Sequence, residues 1–426
     1  MNVLEAAETV VKAGNRLVEE GLIARTWGNV SCRIDSSTFM ITPSGKTYDS
    51  LTTKDIVAVN INDLSYFGNV EPSSERKVHA AAYRQRKDIN FIIHTHQLNA
   101  SALSPLAVDL DVDEPEIKEQ VGEKVWSVPY ALPGSTALMK NVEAVLARCT
   151  GKAYLMTSHG ALCLGSDCND SFITAMKLEE ICCRHLLNRY LTLSGRTSYD
   201  SNEFGQFYAA NFSDKKVKTG GSGCNLLGSS IKKGSKIFFY PGGLAGAGGG
   251  TGEDSCSELL ILGAGNGHGD NLDPGLRKAV TIHRKIYERY PGTMTIIHSV
   301  KPDIMNYSLT GKTLYPMVDD FAQIIGVNAQ ALAPDYIQAE KTARMIQLKI
   351  LGRSAVLLKG NGAICCGADI EDARAVEMIL GKNCRAAMAV DLFDRGKPLR
   401  GYEALLMRFI YLRRYAKKAG QGIKKV

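Results

Sequence analysis

The sequence contains no apolar run near the roughly 18–20 residues that a membrane helix needs; stretches such as 91–93 are far shorter. Its start, Met1-Asn2-Val3-Leu4-Glu5, lacks the zones of a secretory signal. A cytoplasmic protein with no membrane partner is therefore expected. CxxC spacing is missing from the eleven cysteines. Their odd number and the neighbours Cys182-Cys183 and Cys365-Cys366 point to free thiols, not to a disulfide framework or a zinc ribbon. Acidic residues are absent from the last fourteen positions, which hold Arg413, Arg414, Lys417, Lys418, Lys424 and Lys425; without these the net charge of +7 falls to +1. A basic tail without a basic body reads as a solvated chain end, so no nucleic-acid partner is expected.

Nucleotide-binding loops are lacking too. The glycine-rich stretches 242–252 and 263–269 do not meet the GxGxxG fingerprint in a strand–turn–helix setting, and they read as loops. The Gly-Lys-Thr triplets at 45–47 and 311–313 have no glycine five positions earlier, so neither is a phosphate loop of the Walker type. What remains is ordinary for a folded protein, with 45% hydrophobic and 22% charged residues. At 426 residues the chain exceeds what one core usually organises, which favours two domains.

The chain repeats itself. Phe91-Ile92-Ile93-His94-Thr95-His96 is echoed 204 positions later by Thr295-Ile296-Ile297-His298-Ser299-Val300. His79 and Tyr83 recur as His283 and Tyr287 at the same displacement, and the stretch 159–165 recurs at 361–367. Two copies of one domain follow, over 1–195 and 231–426, joined by a polar linker at 196–230. Within the first copy, apolar spacing predicts a helix over 3–20, with Gly21 as its stop. Short strands are expected at 30–34, 38–41, 56–61, 89–94, 153–156 and 161–164, with helices over 73–86 and 167–190. That order is α/β, a mixed sheet flanked by helices.

His94 and His96 sit two apart on an apolar strand, so the strand period puts both imidazoles on one face, within reach of one cation. His159, beside Gly160 in a turn between strands, is a third ligand of the right type, and Glu75 could serve as ligand or base. The second copy sharpens this reading. There His94 keeps a counterpart in His298, but His96 becomes Val300, His159 becomes Asn361 and Glu75 becomes Ala279. Residues that vanish together from a copy that must still fold behave as a functional unit. His79, present in both copies, is assigned to structure, and His185 and His268 are read as incidental.

Five segments carry a family resemblance: Thr26-Trp27-Gly28-Asn29-Val30-Ser31, Ile41-Thr42-Pro43-Ser44-Gly45, Pro72-Ser73-Ser74-Glu75, His94-Thr95-His96 and Ser158-His159-Gly160. In this order the first copy resembles the class II aldolase/adducin family, above all its fuculose-phosphate aldolase branch, and the second copy looks like a divergent relative. The resemblance implies two tandem α/β/α domains, each around a largely antiparallel sheet. It also implies a homo-oligomer in which a dimer of tandem chains mimics a fourfold ring.

The resemblance further implies a zinc-dependent lyase, with His94, His96 and His159 as ligands and Glu75 moving the proton in aldol cleavage or condensation of a small phosphorylated ketose. Another divalent transition metal would fit the same ligands. Thr26, Asn29, Ser44, Gly45, Ser73 and Ser74 match the family's phosphate cup. One departure is clear. The family's aldolase pattern takes a proton-donating tyrosine from the stretch equivalent to 101–127, and this chain has none there; Tyr130 and Tyr199 are the available substitutes. The epimerase branch carries aspartate where Glu75 stands, which favours aldolase chemistry, while a sugar-phosphate dehydratase branch keeps the glutamate. A non-enzymatic, adducin-like assembly protein is the alternative from another class, and it has no need of the three histidines.

Overall fold

The computed structural model describes residues 2–23, 27–213, 227–244, 260–262 and 273–415. The chain forms two compact units. The first holds residues up to Leu193 together with Met317–Asp319 and Ala389–Leu399; the second holds Ser194–Pro316, Asp320–Met388 and the residues from Arg400 on. The first unit's main segment ends at Leu193, and two short segments from later in the chain belong to it.

The first unit opens with a helix, Val3–Glu19, started by a capping box in which Asn2 and Glu5 each accept the other's backbone N–H. Ala6, Val10, Ala13 and Leu17 recur at helical spacing and are buried, and the helix gives way to Gly21 at φ +69°. Eight strands follow: β1 (Asn29–Arg33), β2 (Thr38–Ile41), β3 (Val57–Asn60), β4 (Phe91–Thr95), β5 (Leu110–Asp111), β6 (Lys124–Val128), β7 (Ala153–Met156) and β8 (Gly160–Gly165). They form one sheet in the order β3-β2-β1-β4-β8-β7-β6-β5, antiparallel except for the pair β6 and β7.

The side-chain period of two divides the apolar residues of this sheet between two layers. Phe91 and Ile93 join Val30 and Cys163 under the helices Val3–Glu19 and Cys168–Ser194. Ile92 joins Leu162 and Leu164 under the helices Arg76–Gln85 and Thr136–Leu146. Both faces are covered, which makes the unit an α/β/α sandwich.

The second unit repeats the plan with β9 (Ser229–Lys233), β10 (Lys236–Tyr240), β11 (Leu260–Leu262), β12 (Thr295–Ser299), β13 (Ala331–Leu332), β14 (Ala355–Leu358) and β15 (Ala363–Gly367). Their order, β11-β10-β9-β12-β15-β14-β13, matches that of the first sheet strand for strand up to its β5 edge, and β13 and β14 are again the parallel pair.

Three expectations are corrected. The helix expected over 73–86 begins only at Arg76, because Pro72 bridges to Pro43 and Ser73 N–H bonds the Thr42 carbonyl, which keeps this segment extended. The stretch expected as a polar linker contains the helix Ser201–Phe212, capped by Asp200 and burying Phe204 and Tyr208. The apolar pattern of that helix was hidden among polar residues. The short strands β5 and β6 and the helix Thr136–Leu146 were not anticipated. Most of the glycine-rich stretches and of the basic tail lies outside the described residues. Among those described, no disulfide joins any of the nine cysteines, and no helix is long and apolar enough to cross a membrane.

Candidate metal centre

The central strands bring the predicted residues together. Register pairs Asn29 of β1 with His94 of β4, and His94 in turn with Leu162 of β8. His96 follows two positions on, at the end of β4. Between β7 and β8 the chain turns through Ser158, whose φ of +54° is left-handed, and His159 N–H bonds the Met156 carbonyl at 3.0 Å. Gly160 is required here: a Cβ at this position would lie 2.4 Å from the Thr95 carbonyl oxygen and 3.2 Å from the His94 ring. The missing side chain lets β8 close on β4 and brings the His159 ring within 4.8 Å of that of His94, stacked at 17°. Glu75 stands immediately before the helix Arg76–Gln85, does not cap it, and turns its carboxylate to the histidines.

The reacting atoms converge on one point. His94 Nε2 lies 3.0 Å from His96 Nε2 and 3.1 Å from Glu75 Oε2, while His159 Nε2 lies 2.8 Å from Glu75 Oε1. The ligand atoms of His94, His96 and His159 all lie within 4.8 Å of one another. On the far side of the rings, His94 Nδ1 donates to the Ala161 carbonyl at 2.8 Å and His159 Nδ1 faces Asp319 Oδ2 at 2.5 Å. Because both partners are acceptors, each Nδ1 carries a ring proton, and Nε2 is left turned inward as the atom that takes up a further proton or a metal. Positive charge, from a proton on His159 or from a cation among the rings, offsets the inward carboxylate. The donor set fits a divalent transition metal held by the three imidazoles.

The site's charges shift the proton affinity of each group. Glu75 is only 5% exposed; burial alone would raise its pKa, but His94 and then His159 hold it well below the ordinary carboxylate value. Burial drives His94 well below its ordinary value despite the pull of Glu75. For His159 burial also acts downward, yet the Asp319 and Glu75 carboxylates outweigh it and hold its pKa well above the usual range.

The other predicted residues fall into distinct places. Asn29 turns its amide to its neighbours: its Nδ2 donates to Glu75 Oε2 at 3.1 Å and its Oδ1 accepts from His79 Nε2 at 2.5 Å, so it orients the glutamate. Ser44 and Ser73 lie on adjoining loops tied by Ser44 N–H to the Glu71 carbonyl and by the Pro43–Pro72 bridge, with Gly45 at φ +74° beside them. Ser73 Oγ also accepts from Glu75 N–H at 3.2 Å, and Ser74 is exposed. Thr26 lies outside the described residues. Tyr130 lines an open cavity of about 550 Å³ with Ser127, Thr157 and Arg395, beside the His159 turn. Tyr199 is exposed and packs near Phe204 in the second unit.

His79 is structural. Its Nδ1 pairs with Ser31 Oγ, which also meets Tyr83 OH, and the second unit repeats the set with His283, Ser230 and Tyr287. Where the first unit gathers its ligands, the second unit ties His298 Nε2 to the Asn361 carbonyl, while Asn361 Nδ2 donates to Tyr336 OH and Ala279 fills the place of Glu75. Among the described residues, the three first-unit histidines form the one cluster able to hold a metal. The sequence reading missed Asp319. Its one signal was a pair of acids, Asp319-Asp320, set between Met317-Val318 and Phe321-Ala322.

A largely antiparallel sheet between helices, with three imidazoles and a carboxylate gathered where its central strands end, defines an α/β protein with a cluster that could hold a cation. The family model for the class II aldolase and adducin N-terminal domain matches residues 8–186 and 257–388, more than half of the chain, and the protein belongs to that family. It is 32% identical to the L-fuculose phosphate aldolase of Methanococcus maripaludis over 174 residues, which cover 40% of this chain and 91% of that one. It is 30% identical to the 3-oxo-tetronate 4-phosphate decarboxylase of Haemophilus influenzae over 186 residues, 42% of this chain and 86% of that one. A solved L-fuculose 1-phosphate aldolase is similar at 27% identity and a TM-score of 0.41, over 49% of this chain and 96% of its own.

Proposed function

We propose that the first unit is a metal-dependent lyase that breaks or forms a carbon–carbon bond beside the carbonyl of a small phosphorylated ketose, with zinc held by His94, His96 and His159. One observation carries this reading: the ligand atoms of the three histidines lie within 4.8 Å of one another, and the buried Glu75 carboxylate meets His94 and His159 at 2.8–3.1 Å. A divalent ion bound there supplies Lewis acidity that stabilises negative charge developing on the substrate's carbonyl oxygen.

The chain's own residues do the rest. In cleavage a substrate hydroxyl gives its proton to a base, the bond next to the carbonyl breaks, and its electron pair passes to the carbon beside the carbonyl. Glu75, having taken up a proton from solvent, passes it to that carbon while the base releases its own to solvent, and in condensation Glu75 removes one. Its depressed pKa keeps it ionised and ready for the second direction. Asn29 fixes the carboxylate through its amide. The phosphate is received by the loops carrying Ser44, Gly45, Ser73 and Ser74, ahead of the helix Arg76–Gln85, whose N-terminal end favours an anion.

The named aldolase relatives support this substrate class. The decarboxylase relative favours a second reading, loss of carbon dioxide from a phosphorylated 3-oxo acid, which generates the same kind of charge beside a carbonyl. A panel of ketose 1-phosphates and phosphorylated 3-oxo acids separates the two by release of aldehyde or of carbon dioxide. Both activities are expected to vanish with chelator and to return with zinc. Turnover that survives thorough removal of metal would overturn the proposal.

A further inference from the structure

We propose that Asp319 is a positioning residue of the metal centre, holding the His159 ligand through a carboxylate–imidazole bond and raising the donor strength of its Nε2. This deepens the metal reading above and rests on it. Asp319 belongs to the first compact unit although it lies 160 positions from His159, within the stretch 257–388 that matches the family a second time. The copy that has lost the ligands thus retains, in its sequence, a residue serving the site of the other copy.

Three observations carry the assignment. First, Asp319 grips the ligand turn at two points. Its Oδ2 meets His159 Nδ1 at 2.5 Å, and its backbone N–H bonds the Ser158 carbonyl at 2.9 Å. Second, that turn needs a clamp. Ser158 stands in the left-handed region at φ +54°, where the equivalent of the second unit is Gly360 at φ +66°. Third, the carboxylate makes little sense as packing. Asp319 is fully buried, and its Oδ1 has no hydrogen-bond partner. Among the described residues, Asp319 and Glu75 form ion pairs with histidines alone. With the imidazoles neutral, as ligands are, the two buried carboxylates would leave two negative charges for one divalent cation to balance. An acceptor on the outer nitrogen of a ligating histidine fixes its tautomer and ring angle and makes the inner nitrogen more basic.

The test uses the full chain with Co²⁺ and Zn²⁺ as probes. Asp319→Asn keeps the volume and an acceptor but removes the charge, and Asp319→Ala removes both. Metal affinity, measured by competition with a chromophoric chelator, is expected to fall about 10–100-fold in the Asn variant and further in the Ala variant. The visible spectrum of the Co²⁺-loaded protein should change in both, with the melting temperature of the Asn variant retained. Wild-type affinity and an unchanged cobalt spectrum in Asp319→Asn would overturn the assignment alone. An affinity loss that comes with an unchanged spectrum and a collapsed melting temperature would make Asp319 merely structural and overturn it as well. No cobalt or zinc binding by the wild-type chain would overturn this inference and the metal reading together. Should the Ala variant fail to fold, the isosteric Asn variant decides.

Discussion

His79 gives the first unit an acid sensitivity that can be calculated. The ring is fully buried between Ser31 and Asn29, and burial, opposed by Glu75, lowers its pKa from 6.5 to about 4. In the unfolded chain the same ring takes a proton near its ordinary value, so between about pH 6.5 and about pH 4 the unfolded state binds more protons than the folded one. Stability therefore falls as pH falls through that window. With about 1.36 kcal/mol for each pKa unit, the loss from this one side chain is about 2 kcal/mol at about pH 5 and about 3 kcal/mol by about pH 4. Both tryptophans, Trp27 and Trp126, belong to the first unit, so their fluorescence during urea unfolding reports on it. His79→Gln lacks the titrating ring. Moving from about pH 7.5 to about pH 5 should cost the wild-type protein about 2 kcal/mol more than it costs this variant. Parallel acid slopes in the two proteins would show that His79 is charged in the fold, and would refute the reasoning.

Other outcomes follow from the site. Glu75→Gln should retain zinc, measured by elemental analysis, while turnover of the active substrate falls by about 100-fold or more, the usual scale for loss of an acid–base group; an unimpaired rate removes Glu75 from its role. His96→Ala should lose both metal and turnover, because two remaining imidazoles make a poor zinc site. Gly160→Ala places a methyl 2.4 Å from the Thr95 carbonyl oxygen, so we expect a loss of about 1–3 kcal/mol in unfolding free energy together with weakened metal binding as the His159 turn is pushed away. An Ala variant with wild-type stability and zinc content would mean that β8 does not need to approach β4 so closely.

Several of these features were legible in the linear chain because they depend on local periodicity. Two histidines two apart on an apolar strand must share a face, whatever the fold around them. A motif set repeated at a displacement of about 204 positions requires two like domains, and the loss of His96, His159 and Glu75 from one of them marks the site in the other. Other features depended on which distant segments pack together, and spacing carries no information on that. Asn29 matched a phosphate-binding position, and its pairing with His94 across β1 and β4 turns its amide to Glu75, a partner that spacing did not show. The helix after Pro72 begins at Arg76 because a bridge to Pro43, nearly thirty residues away, holds the preceding turn extended. Asp319 joins the site from far along the chain, since a buried charge finds its partner by proximity in space. Residue type and period thus picked out the three histidines and the glutamate, while their orientation and charge balance arose only when tertiary packing closed around them.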